Sequence, residues 1–166
     1  MKILRSHPLL STVGKIGVWL LVYWGVLHIW VGAEGVNQYL HDAPRGLWQM
    51  LIGGSVVTRQ AFQHASDPVT LFAHSQLLIN FCLDVGGYGV LGVLLAAWYW
   101  HTRSAMAFAL ALIVIGIGDL AFMFAMLVSG VIEPNLPTVS GPIVWFFACG
   151  FMLADLMRGT PEPATP

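Results

Sequence analysis

Between Ala105 and Ile132 the chain reads AMAFALALIVIGIGDLAFMFAMLVSGVI, and one charged residue, Asp119, interrupts it. A run this long exceeds the roughly 20 apolar residues that a helix needs to cross a bilayer. Three more runs are comparable: Ile16 to Gly32, extendable back to Leu9; Leu71 to Trp100; and Pro142 to Met157. The 166 residues are 57% hydrophobic and 9% charged, against roughly 25% charged in a soluble domain. Four spans of about 20 residues occupy half the chain, leaving no room for a separate soluble enzyme. A net charge of -1 gives no footprint for nucleic acid. The expected fold is all-α and polytopic, a four-helix transmembrane bundle with spans near 14–32, 71–100, 105–132 and 142–157. A mobile Pro- and Thr-rich tail, 159–166, follows.

Lys2, Arg5, Lys15, Arg103 and Arg158 fall on one side of these spans and Arg45 and Arg59 on the other. The positive-inside rule then puts both termini in the cytoplasm. Val31-Gly32-Ala33 resembles a signal-peptide cleavage site, but the run before it is as long as a span and reads as an uncleaved anchor. The connection from Ala33 to Thr70 faces outward. Within it, Gly46 to His64 is too polar at its ends to span, and Gly53-Gly54 breaks any helix, so an interfacial helix or shallow re-entrant cap is expected between spans one and two.

Local signals mark the other boundaries. Trp98, Tyr99 and Trp100 read as an interfacial aromatic belt and Ser104 as an N-cap. Glu133-Pro134-Asn135 stops span three, and Ser140-Gly141-Pro142 starts span four. Asp155, three residues before Arg158, reads as half of a surface ion pair. Cys82 and Cys149 lie in apolar runs at different depths, as small hydrophobes rather than as a disulfide.

Residues that are costly in hydrocarbon carry most of the functional information, since a central Asp costs about +3 kcal/mol on translocon scales. Asp84 and Asp119 lie about 24 Å and 23 Å from the cytoplasmic ends of adjacent spans at helical rise. His28 falls near the same level, with Trp24 one turn below. Gln76, Asn80 and Asp84 share one face of span two, which continues through Gly87. On span three Gly116, Met123 and Met126 share the Asp119 face. A His with two carboxyl groups in an apolar bundle suits proton handling; the plainer alternative is helix-to-helix hydrogen bonding. The glycines of spans two and three read as packing residues, and the methionines as core or an adaptable pocket. His28 and His74 offer a pair of imidazoles for haem b, without diagnostic spacing. His41, His64, His74, Asp67 and Glu34 show no metal-site spacing, so no dedicated metal is expected.

The segment Phe81-Cys82-Leu83-Asp84-Val85-Gly86-Gly87-Tyr88-Gly89-Val90-Leu91-Gly92, with Arg103 before the next span, resembles the DoxX-like group of small four-helix membrane proteins. The resemblance covers about 50 residues; Asp84 stands where that group more often has Glu, and the group's first-span Arg, Gly and Lys have no clear counterpart here. It implies a four-helix bundle of a bacterial inner membrane, in some members a subunit working with quinone-linked oxidoreductases.

Two functions are therefore expected. One is an accessory subunit, docked on a membrane redox complex or self-associated as a homo-oligomer, or a binder of a quinone-like or other apolar ligand held by Trp24, His28, Asn80, Asp84, Tyr88, Asp119 and Met123. The other is an intramembrane oxidoreductase or isomerase, with Asp84 or His28 as general base and Asp119 as its partner. A transporter or channel is less favoured, because the chain shows no inverted repeat.

Overall fold

The structure, a computed structural model, describes residues 10–158, without the side chains of 42–47, 49 and 50. Lys2, Arg5 and the tail expected to be mobile lie outside these residues. Four helices are long and apolar enough to cross a membrane. They are α1 (Thr12–Leu51), α2 (Pro68–Thr102), α3 (Ala105–Val128) and α4 (Leu136–Met157). Among the described residues there is no strand. The chain is an all-α, four-helix integral membrane protein.

The helix starts follow from capping chemistry. Ser11, Asp67, Ser104 and Asn135 each accept a hydrogen bond from a backbone amide of the first turn, which would otherwise lack a partner. Asp67 lies outside the spans, and the Thr70 amide holds its carboxyl below the usual range. Two expected boundaries move. The fourth helix begins at Leu136, on a reciprocal Asn135–Thr138 cap that places Pro142 inside the helix. The third ends at Val128, before the expected Glu133 stop, where Gly130 takes φ +77°.

The largest departure is in α1. It does not end near Gly32 but continues to Leu51. The i,i+4 hydrogen bond from Gln38 to Glu34, 2.6 Å, supports the polar continuation. The expected cap segment is therefore divided. Its first part belongs to α1, and the break comes at Ile52-Gly53, with Gly53 at φ +135°. Beyond the break, Gly53 and Gly54 donate to the Val131 carbonyl, and Val56 and Val57 to that of Gly130. The α1–α2 loop thus covers the end of α3.

α1 packs antiparallel to both α2 and α4. A Cβ at Gly25 would lie 2.7 Å from the Gly89 carbonyl oxygen, and one at Gly32 2.7 Å from that of Cys82. On the other side, a Cβ at Gly17 would lie 2.9 Å from the Ala148 carbonyl oxygen. Only glycine allows these approaches. The main core is built from all four helices, around Leu21, Trp24, Tyr99, Ile115, Trp145 and Met152. A second cluster, with Leu78 and Cys82 at its centre, joins α2 to the outer part of α1. Large apolar side chains also cover the outside, including Trp19, Leu94, Ile117, Phe124 and Phe146. That exterior matches lipid as the surrounding solvent.

Candidate functional site

Within the bundle the structure brings three expected residues together. Trp24 Nε1 donates to Asp119 Oδ2 at 2.9 Å, joining α1 to α3 in the interior. One turn on, the His28 ring stacks on the Trp24 indole with centroids 3.8 Å apart. His28 Nδ1 lies 2.8 Å from the Trp24 carbonyl oxygen. A carbonyl can only accept, so Nδ1 carries the proton, and in the neutral ring Nε2 presents its lone pair. That nitrogen faces Asp119 Oδ1 at 3.8 Å, beyond direct hydrogen-bond reach but within the span of one bridging atom.

A neutral imidazole nitrogen and a carboxylate oxygen are both acceptors. At this separation no proton bridges them directly: a proton bound to either makes that partner a donor, and a hydroxyl beside the pair donates to one of the two. Asp119 is 5% exposed and His28 18% exposed, so the pair is shielded yet reachable on the imidazole side.

Remote residues make room for this arrangement. The Trp24 ring lies over Gly92 of α2, where a Cβ would stand 2.9 Å from it. Gly141 of α4 faces His28, its notional Cβ 3.1 Å from the imidazole Cε1. Gly141 is therefore a packing position against the site and not the start of a helix. Asp119 sits in an α-helical stretch, Gly116–Phe122, bracketed by two π-helical stretches, Ala111–Ile115 and Met123–Val128. At the first, Trp145 Nε1 donates to the Ala111 carbonyl at 2.9 Å, and its ring fills the space left by the missing side chain of Gly116. Such stretches recur at functional sites, where they re-aim side chains.

The other candidates do not join this group. Asp84 and Asn80 are exposed on α2, with Asn80 Nδ2 donating to Asp84 Oδ2 at 2.9 Å. Gln76, on the same face, donates to the Tyr39 hydroxyl at 3.1 Å. The polar stripe exists, but it lies on the outer surface of α2 rather than lining a pocket with Asp119. Tyr88 is 38% exposed, its ring edge 3.9 Å from where a Gly118 Cβ would stand. Tyr88 opposite Gly118 sets the α2–α3 register and puts Asp84 about one turn farther out than Asp119. Met123 begins the second π-helical stretch, partly exposed.

His28 and His74 do not converge. The Gly25–Gly89 contact places His74 opposite the region of His41, about 20 Å along α1 from His28. His74 instead meets Trp48 edge-on, with centroids 6.0 Å apart. Among the described residues no three His, Cys, Asp or Glu side chains are placed to hold a metal ion.

At the other end of the bundle lies a cluster that local reading misassigned. Asp155 does not form a surface pair with Arg158. It is 0% exposed and pairs with Arg103, Nε to Oδ2 at 2.9 Å. Tyr99 donates to the same oxygen at 2.9 Å, and the Ser11 amide to Oδ1 at 3.1 Å. The Ser11 hydroxyl also donates to Oδ1, and Arg103 Nη2 to the Asp155 carbonyl. Tyr99 thus leaves the expected aromatic belt for the interior, while Trp98 and Trp100 remain outside, with Trp100 edge-on to Trp19. Comparison with family models, curated proteins and solved structures finds no match.

Proposed function

We propose that this protein is a small inner-membrane binder of a quinone-like molecule, an apolar body with a carbonyl or hydroxyl end, serving as an accessory component of a membrane redox system. The observation that carries the reading is the facing pair of acceptors, His28 Nε2 and Asp119 Oδ1, 3.8 Å apart. A hydroxyl of a reduced quinone standing beside the pair donates to one of the two; with a proton resident on either, the carbonyl of the oxidised form accepts from it. Trp24 fixes both partners, by its indole N–H on Asp119 and its carbonyl on His28. The resemblance of the α2 segment to DoxX-like proteins supports an inner-membrane redox setting, and the excess of basic residues at the Arg103 end supports a cytoplasmic location for both termini.

The test is a thermal-shift titration of the purified protein with a short-chain ubiquinone. Wild type is expected to show a saturable rise in melting temperature. Asp119→Asn and His28→Gln are expected to lose it and Asp84→Asn to keep it. No rise in wild type, or equal rises in all four proteins, contradicts the reading. The second reading, an intramembrane oxidoreductase or isomerase, is favoured by the same contact, with His28 as base and Asp119 as its partner. It requires turnover that both substitutions abolish, whereas a binder shows occupancy alone.

A further inference from the structure

The exposed polar face of α2 has no role in the site above. Asn80, Gly87 and Leu94 stand seven residues apart along it, and Leu83, Val90 and Ala97 interleave; all six are exposed. With Tyr88 beside Gly118, Asp84 lies opposite Phe122, about 9 Å inside the end of α3 and so within the apolar layer. A carboxyl group and an amide facing lipid at that depth are unfavourable, and polar residues in spans ordinarily face protein or water. Among the described residues no basic side chain pairs with Asp84.

The glycines of α2 separate by face. Gly89 approaches the backbone of α1, Gly86 stands opposite Gly32, and Gly92 seats Trp24. Gly87 has no such explanation: among the described residues nothing lies within 4 Å of where its Cβ would be. It sits one turn from Asp84 on the exposed face, at the spacing that lets a second backbone come close.

We propose that this face is the contact between two copies of the chain, with α2 packed on α2 about a two-fold axis along the bilayer normal. Complementarity selects a second copy. Each face carries on Asn80 an amide donor, the second N–H, and an acceptor, Oδ1, neither of which is bonded among the described residues. The axis sets Asn80 of each copy against Asn80 of the other, so that each amide donates an N–H to the Oδ1 of its mate, the reciprocity that a two-fold contact demands. A seven-residue spacing keeps that face on the partner along a parallel pair, and a single Asn on the seam fixes its register. A foreign helix would have to supply the same two groups at the same depths.

The test is subunit counting by single-molecule photobleaching of the full-length labelled chain in phosphatidylcholine and phosphatidylglycerol bilayers, over a dilution series. Wild type is expected to be dimeric and to dissociate on dilution. Gly87→Leu, which meets nothing within its own fold, is expected to raise the dissociation constant at least about tenfold, the scale of one lost interhelical contact. In native membranes, Val90→Cys is expected to form an oxidative cross-link between copies, and Ile117→Cys on α3 not to. A wild type that is monomeric at every dilution, a Gly87→Leu protein that dimerises as wild type does, or a Val90→Cys adduct with a different protein overturns the proposal.

Discussion

Two aspartates that look alike in sequence, each a lone acid in an apolar run, have opposite environments. Asp155 is saturated, with Arg103, Tyr99 and Ser11 occupying its oxygens. Asp119 holds one firm bond, from Trp24, and leaves its other oxygen toward His28. The first is a structural tie between the α2–α3 turn, the start of α1 and the end of α4, and the second is available for chemistry. Arg103 is held at φ +51° in the turn, 7% exposed, so removing its partner leaves a buried, uncompensated charge. Asp155→Ala is expected to cost about 3 kcal/mol, seen as a lower melting temperature in detergent. The double change Asp155→Leu with Arg103→Met is expected to recover most of that loss, and failure to recover would show that the pair contributes more than charge compensation. Hydropathy and local spacing name Asp119, His28 and Trp24, but only among a wider set with Asn80, Asp84, Tyr88 and Met123. They fail for Asp155, because the nearest opposite charge in sequence, Arg158, is not the nearest in space.

At the scale of helices, the four spans and the cap at Ser104 follow from apolar run length and turn chemistry, which are local. The continuation of α1 past Gly32 does not, since Glu34, Asn37 and Gln38 lower the hydropathy while leaving the helix intact. A hydropathy profile reports where lipid ends, not where a helix ends. The π-helical stretches of α3 are equally silent in sequence, because a remote side chain, Trp145, takes the Ala111 carbonyl at one of them. Glycine packing is legible as a tendency, but which face each glycine serves depends on the register of α1 against α2. That register makes a sharp comparison available. Gly25→Val sets a branched side chain against the Gly89 backbone and is expected to destabilise by about 2 kcal/mol or more. Gly150→Ala, with nothing within 4 Å of its Cβ among the described residues, is expected to leave the melting temperature within a degree or so, as for neutral surface changes.

Across the whole molecule the chain divides its polar residues by location. The Arg103 end is locked by a buried ion pair, the middle of the bundle holds the Trp24–His28–Asp119 group, and the α1–α2 loop covers the end of α3 through Gly53, Gly54 and Gly130. Asp84 and Asn80, grouped with Asp119 by depth alone in sequence, lie on a different surface, because depth along a helix says nothing of the direction in which a side chain points. Among the described residues this division leaves Asp119 and His28 as the place for the proposed ligand's polar end. The most direct measurement is native mass spectrometry of the protein released from its own membranes, with chemical identification of any retained apolar molecule. The account predicts one carbonyl- or hydroxyl-bearing molecule per chain in wild type and in Gly87→Leu, and its loss in Asp119→Asn. A wild type that retains no such molecule, or an Asp119→Asn protein that retains it at the same occupancy, would contradict the account.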